Sequence, residues 1–126
     1  MESKVMNTKD IIQSYYKSLE EKNDTWKDLY SEDAVFSDAS QLLLAKGKKT
    51  VLQAFIPFLK GVAGIKIKQL IIEGENACAI ISYEYVNSKK ERMSQDVAEI
   101  WEVKNGKLTK LTIYFDLTAY RNFMSG

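Results

Sequence analysis

The stretch QDVAEIWEVKNGKLTKLTIYFDL, residues 95–117, decides the fold. Two runs rich in β-branched and aromatic residues, 95–104 and 108–117, flank the dipeptide Asn105-Gly106. This dipeptide suits a two-residue type I′ turn because both of its positions tolerate positive φ. The stretch therefore predicts two antiparallel strands that are joined by a tight hairpin.

Two earlier runs extend this pattern toward the N-terminus. Residues 65–73 and 77–86 are again rich in Ile, Val and Tyr and are separated by turn residues. Together with the hairpin they predict four consecutive antiparallel strands.

The first half of the chain has a helical pattern instead. Apolar residues recur at three-to-four spacing within residues 8–22, which indicates an amphipathic helix capped by Asn7. A short second helix is expected around Trp26, and a third over residues 49–59, near whose end lies Pro57. Helices followed by strands predict one α+β domain over residues 1–126, with three N-terminal helices packed on one face of a strongly curved antiparallel sheet.

Composition excludes several classes of function. The chain carries 18 basic and 17 acidic residues, so its net charge of +1 favours neither nucleic acid nor anionic membranes as partners. It has no histidine, and Cys78 is its single cysteine, which excludes histidine-based catalysis and zinc sites built on paired thiolates. No segment approaches the roughly 20 apolar residues of a membrane span, and none resembles a secretory signal. We therefore expect a cytoplasmic protein without a metal or cofactor.

Glu99 stands out on the strand 95–104. Alternation places it on the same face as Val97, Trp101 and Val103, which is the apolar face that should meet the helices. A carboxyl group among apolar neighbours has a raised pKa because burial penalises its charged form. The alternative is that Glu99 lies at an open rim and pairs with a lysine.

Asp38 ends the short apolar run AVFSD, residues 34–38, which is predicted to form a strand. The carboxylate can be a turn residue that closes this strand, or an acid that points into a cavity. The loop ASQLLLAKGKK, residues 39–49, follows it and ends near Gly47, where the third helix opens.

The order and spacing of these segments resemble the nuclear transport factor two-like superfamily, which includes SnoaL-like proteins and ketosteroid isomerase. The matching segments are IIQSYYKSLEEKN, LYSEDAVFSD, the Gly47 helix opening, ISYEY, and AEIWEVKNGKLTKLTIYFD. The resemblance implies a cone with an apolar pocket between sheet and helices. It also implies that the QLLL loop lies at the pocket's mouth and that the lining includes Trp101, Phe115, Ile113, Phe55 and Phe58.

Ketosteroid isomerase also implies roles for three residues. Asp38 falls where that enzyme has its general base, Tyr15 where it has its oxyanion-hole tyrosine, and Glu99 where it has an aspartic acid that apolar surroundings keep neutral. Three departures are visible: Asp38 precedes Ala39 rather than proline, Glu99 is one methylene longer, and Tyr16 beside Tyr15 leaves open which tyrosine faces the pocket.

Two functions follow from the resemblance. The first is an uncharacterised SnoaL-like protein whose pocket binds a small hydrophobic molecule, with Ile80 and Ile100 on an outer sheet face that forms a homodimer. The second is a cofactor-free isomerase, dehydratase or cyclase that works by proton transfer. Dehydratases that depend on histidine are excluded, and so are epoxide hydrolases with an Asp-Arg-Asp group, because Arg92 and Arg121 are predicted in a hairpin loop and the C-terminal tail.

Overall fold

The computed structural model describes residues 7–125. Within this range four helices and six strands follow one another, and all six strands belong to one sheet with the order β2-β1-β6-β5-β4-β3. The elements are α1 (Thr8–Glu21), α2 (Thr25–Asp28), β1 (Tyr30–Asp38), β2 (Leu44–Lys46), α3 (Lys48–Lys60), β3 (Val62–Glu73), β4 (Asn76–Val86), β5 (Arg92–Lys104), β6 (Lys107–Tyr114) and α4 (Leu117–Ser125).

The N-terminal helix α1 forms as its sequence predicts. The side chain of Asn7 accepts a hydrogen bond of 2.8 Å from the backbone N–H of Asp10, which satisfies one of the free donors at the helix start. The face at three-to-four spacing is buried and includes Ile11, Tyr15 and Leu19. The helix ends at Glu21, and Lys22 caps it with a φ of 57°, the left-handed conformation that commonly terminates helices.

The hairpin at residues 95–117 is confirmed, with one change of register. Lys104 pairs with Lys107, and Asn105 and Gly106 both have positive φ, as a two-residue type I′ turn requires. A bulge between Glu102 and Val103 then shifts the pairing, so Leu108 and Leu111 are both buried on the inner face although their sequence positions differ by an odd number. Bulges reverse the alternation of a strand locally, and a strict period of two could not predict this one.

The sheet is mostly antiparallel, but its first strand is longer than predicted and pairs in parallel with the last. Along β1, Phe36 pairs with Leu111 and Asp38 with Ile113 of β6. Part of the predicted loop also forms the short edge strand β2, which pairs antiparallel with β1. Gly47 follows β2 with a φ of 91°, a conformation that favours glycine at the start of α3.

The C-terminal end differs from the prediction. Strand β6 ends at Tyr114, and Leu117 begins a fourth helix rather than ending the strand. Asp116 accounts for the change, because its carboxylate accepts a hydrogen bond of 2.9 Å from the backbone N–H of Ala119 and so caps the helix. Arg121 therefore lies on α4 and not in a tail, while Arg92 lies at the start of β5 and pairs with Glu84.

The helices pack on the inner face of the curved sheet, which confirms the α+β fold class. Buried residues of α1 meet the alternate residues of β4 and β5 that point inward, among them Ile81, Val97 and Trp101. Pro57 lies in the last turn of α3, which ends at Lys60. Among residues 7–125, no helix combines the length and the apolar character that crossing a membrane would require.

Candidate functional site

A cavity of about 480 Å³ lies between the inner face of the sheet and the helices. We call it the main cavity. Leu42 and Leu43 line it from the loop before β2, and Leu44 lines it from the start of β2. Leu42 and Leu44 are 69% and 57% exposed, so these leucines form the mouth. Eight aromatic side chains form a large part of the remaining wall, namely Tyr15, Phe36, Phe55, Phe58, Tyr83, Tyr85, Phe115 and Tyr120. The cavity is therefore suited to an apolar ligand.

Glu99 is the single acidic side chain among the described residues that line the main cavity. It points inward from β5 and is 5% exposed. One carboxylate oxygen accepts a short hydrogen bond from the Tyr16 hydroxyl, and the other accepts a bond of 2.8 Å from the Tyr83 hydroxyl. Burial raises the pKa of Glu99 to about 7, and the two tyrosine hydroxyls limit the rise because they stabilise the charged form. Glu99 can therefore gain or lose a proton near neutral pH.

The tyrosines around Glu99 remain protonated. Burial raises the pKa of Tyr16 and of Tyr83 well above the usual range, and the nearby charge of Glu99 raises both further. Tyr16 also accepts a hydrogen bond of 3.0 Å from the indole N–H of Trp101. Both hydroxyls consequently act as donors to Glu99 when its carboxyl group is ionised.

The structure separates the two tyrosines of α1 that the sequence left as alternatives. Tyr15 lines the main cavity, and its hydroxyl accepts a hydrogen bond of 2.9 Å from the Tyr30 hydroxyl. Tyr16 is fully buried behind the wall and is the residue that contacts Glu99. Of the two α1 tyrosines, one thus faces the cavity and the other supports the carboxyl group.

The predicted lining residues Phe55, Phe58, Ile113 and Phe115 all line the main cavity. Trp101 does not, and the prediction for this residue is wrong. Its ring is fully buried and packs edge-on against Tyr15, with the ring centroids 4.9 Å apart. The indole therefore belongs to the layer behind the cavity wall.

Asp38 lies in a neighbouring cavity of about 320 Å³, which we call the annex. Leu42, Phe115, Leu117 and Arg121 line both cavities, so the annex adjoins the mouth of the main cavity. Asp38 itself is absent from the described lining of the main cavity, so the structure brings Tyr15 and Glu99 together there but leaves Asp38 outside.

The carboxylate of Asp38 is occupied by its own loop. It accepts hydrogen bonds from the Ser40 hydroxyl and, at 2.9 Å, from the backbone N–H of Leu43. Burial acts to raise the pKa of Asp38, but these hydrogen bonds outweigh it and hold the pKa below its ordinary value. Asp38 is therefore an ionised residue that closes β1 and orders the leucine loop.

Several residues of the site were not predicted from the sequence, among them Tyr83 and Arg121. Alternation along residues 77–86 places Tyr83 on the same face as Ile81, so the strand pattern contained the signal for Tyr83. The signal for Arg121 is the spacing of Leu117, Tyr120 and the following apolar residues, which fits a helix. Within residues 7–125, no group of three His, Cys, Asp or Glu side chains is arranged to hold a metal ion.

Solved structures share this fold at low sequence identity. TerC, co-crystallised with polyporic acid, superposes with a TM-score of 0.80 at 12% identity, covering 94% of this chain and 98% of its own. A candidate SnoaL-like polyketide cyclase from Jannaschia sp. CCS1 gives 0.81 at 10% identity, with 100% and 98% covered. A hypothetical protein with a ketosteroid isomerase-like fold from Catenulispora acidiphila, in complex with trimethylamine, gives 0.76 at 11% identity, with 94% of each chain covered.

The family is identified by sequence. A comparison with curated proteins found no match. The family model of the SnoaL-like domain matches residues 12–111, which extend from α1 into β6 and include Tyr15, Asp38 and Glu99. The chain therefore belongs to the SnoaL-like family, within the nuclear transport factor two-like superfamily.

Proposed function

We propose that this protein binds a small hydrophobic molecule in the main cavity and that Glu99 exchanges a proton or a hydrogen bond with it. The observation that carries the proposal is an aromatic cavity of about 480 Å³ with one carboxyl group in its wall, whose pKa lies at about 7. This volume falls within the range of cavities that hold small ligands. A general acid or base is most effective when its pKa lies near the working pH.

Similar structures support a cavity that holds a ligand. TerC was co-crystallised with polyporic acid, and the protein from Catenulispora acidiphila is in complex with trimethylamine. These relatives share the fold at 12% and 11% identity, so they support ligand binding by the fold and leave the ligand of this chain open.

The catalytic form of the proposal is an isomerase, dehydratase or cyclase that works by proton transfer. Tyr15 lines the same cavity as Glu99, and burial raises the pKa of its hydroxyl far above the usual range, so it remains a proton donor. In this form Glu99 rather than Asp38 transfers the proton, because both oxygens of Asp38 already accept hydrogen bonds within its loop. Tyr15 then stabilises charge that develops on the ligand.

Fluorescence titration with N-phenyl-1-naphthylamine, a neutral apolar probe, tests binding. Ala54 lines the cavity from α3, and Ala54→Trp should fill part of it. The adjacent Gln53 is exposed and does not line the cavity, so Gln53→Trp is the matched control. We expect at least about tenfold weaker binding in Ala54→Trp alone, since the new ring and the probe compete for one volume. Absence of binding in the wild type would contradict the proposal.

The pH dependence of the same titration tests the role of Glu99. An apolar probe removes water from the cavity, which disfavours the ionised carboxylate. Binding should therefore weaken as pH rises through about 7, the pKa of Glu99. Glu99→Gln should bind with constant affinity over this range, whereas Glu102→Gln on the opposite face of β5 should behave like the wild type. An unchanged pH profile in Glu99→Gln would refute the role of Glu99.

We also propose that the outer face of the sheet forms a homodimer. This face carries exposed apolar residues on β3, β5 and β6, among them Ile71, Ile100 and Tyr114, which are 52%, 37% and 52% exposed. Two ion pairs, Lys68–Asp96 and Lys110–Glu102, lie on this face. Each supplies a positive and a negative group, so two identical surfaces related by a two-fold axis can place opposite charges against each other.

Light scattering tests the homodimer. The wild type should have the mass of a dimer and Ile100→Lys that of a monomer, because two-fold symmetry places each new charge twice in the interface. Ile56 on α3 is exposed to nearly the same extent, at 38%, and Ile56→Lys is the control that should remain dimeric. A monomeric wild type would contradict this proposal.

A further inference from the structure

Arg121 lines both the main cavity and the annex, because it lies on α4 at the point where the two cavities adjoin. It is the single basic side chain among the described lining residues of either cavity. The guanidinium is permanently charged and offers five hydrogen-bond donors. Arg121 thus places a permanent positive charge at the mouth of a largely apolar cavity.

Within residues 7–125, no carboxylate forms an ion pair with this guanidinium. The ion pairs in this part of the chain involve other residues, and the second arginine, Arg92, is paired with Glu84 on the sheet. Asp38 and Asp116 carry the two carboxylates that line the annex together with Arg121. Neither lies within 4.0 Å of the Arg121 side-chain nitrogens, the limit for an ion pair.

Both annex carboxylates are engaged by backbone groups instead. Asp38 accepts a hydrogen bond from the N–H of Leu43, and Asp116 accepts one from the N–H of Ala119. Their negative charge disfavours an anion on the annex side of Arg121. An anionic group can therefore approach Arg121 more favourably from the main cavity. Glu99 is the one acidic group among the described lining residues there, and its pKa of about 7 allows it to be neutral.

We propose that Arg121 selects ligands that carry an anionic group, such as a carboxylate or an ionised phenol, on an apolar ring system. This inference rests on the proposed function and adds the chemical class of the ligand. The ring system lies against aromatic side chains such as Phe55, Phe58 and Phe115, while the anionic group lies at the mouth and accepts hydrogen bonds from Arg121. Charge-assisted hydrogen bonds of this kind supply direction as well as affinity.

Two fluorescent probes that differ by one charged group provide the test. N-Phenyl-1-naphthylamine is neutral, and 1-anilinonaphthalene-8-sulfonate is the same ring system with a sulfonate. The measured quantity is the affinity for the sulfonate divided by the affinity for the neutral probe, since this ratio isolates the anionic group. Competition between the two probes shows whether they bind in one cavity.

Arg121→Gln should lower this ratio about tenfold, the effect of one hydrogen bond to a charged group, with little change in the affinity for the neutral probe. Arg92→Gln changes the net charge equally but lies on the sheet beside Glu84, so its ratio should equal that of the wild type. Asp116→Asn removes a negative charge from the annex and retains a good helix cap, so its ratio should rise.

The outcomes separate the two proposals. If the neutral probe binds and the ratio is the same in the wild type and Arg121→Gln, the role of Arg121 is refuted while the proposed cavity stands. Independent binding of the two probes, without competition, would also refute it. If neither probe binds to the wild type, the proposed function fails and the inference fails with it.

Discussion

Replacing Glu99 with glutamine should remove most of the pH dependence of stability near neutrality. Burial raises the pKa of Glu99 from its ordinary value of 4.5 to about 7 in the folded protein. Between these two values the folded state holds a proton that the unfolded chain has released. Stability therefore falls as pH rises, because the folded state must lose this proton or bury a charge. The stabilisation that comes from the raised pKa of Glu99 is fully present below pH 4.5 and is lost once the pH exceeds about 7.

The size of the effect follows from the two pKa values. Each pKa unit corresponds to about 1.4 kcal/mol, so the full change is about 3 kcal/mol, of which about 2.5 kcal/mol falls between pH 5 and 8. Glu99 is 5% exposed, so solvent screening reduces this value little. In a urea titration the loss moves the unfolding midpoint by about 1–2 M for a chain of this size.

Urea unfolding of the wild type and Glu99→Gln at pH 5, 6, 7 and 8 measures the effect. Glutamine has nearly the same shape and remains neutral, so the variant should show a flat free energy of unfolding where the wild type slopes downward. Glu102→Gln is the control, since it removes a carboxylate from the other face of the same strand and should retain the wild-type slope. A slope in Glu99→Gln equal to that of the wild type would show that another group titrates.

The remaining predictions concern the partners of Glu99 and the loop of Asp38. Tyr83→Phe removes a hydrogen bond that stabilises the charged carboxylate, so the pKa of Glu99 should rise above 7, as carbon-13 NMR of its carboxyl group would show. Tyr16→Phe should raise this pKa too and should also cost about 1–3 kcal/mol of stability in urea unfolding, because it leaves the indole N–H of Trp101 without its acceptor. Asp38→Ala should lower stability at pH 7 by about 1–2 kcal/mol through lost hydrogen bonds to Ser40 and Leu43. Since folding lowers the pKa of Asp38, the difference in free energy of unfolding between Asp38→Ala and the wild type should shrink as pH falls below 3.8. A difference that stays constant would show that the ionised carboxylate of Asp38 does not stabilise the loop.

The hydrophobic pattern of the sequence was sufficient for most of the fold. It predicted the face of α1, the two-residue turn at Asn105-Gly106 and the inward position of Glu99, because each depends on local periodicity or local backbone geometry. It failed where tertiary pairing overrides the local pattern. The bulge in the hairpin brings Leu108 inward, and the cap at Asp116 ends the last strand and starts α4.

The site was harder to predict than the fold, because its geometry depends on contacts between distant segments. The sequence could place Asp38 at the end of β1, but its orientation depends on the loop that folds back to Leu43. Cavity shape likewise depends on α4, which brings Arg121 to the mouth. The alternation of apolar and polar residues along the strands predicts neither how that loop folds nor where a terminal helix packs.

The division of roles between Tyr15 and Tyr16 follows from helix geometry. Consecutive residues of an α-helix point about 100° apart, so two adjacent tyrosines cannot both face one carboxyl group. Tyr16 points at Glu99 and is held by the indole of Trp101, while Tyr15 turns to the cavity and is held by Tyr30. The carboxyl group is thus positioned by one tyrosine of α1, and a second tyrosine of the same helix lines the main cavity. The proton transfer that we propose uses Glu99 and Tyr15, because both line the main cavity, whereas Asp38 lines the annex.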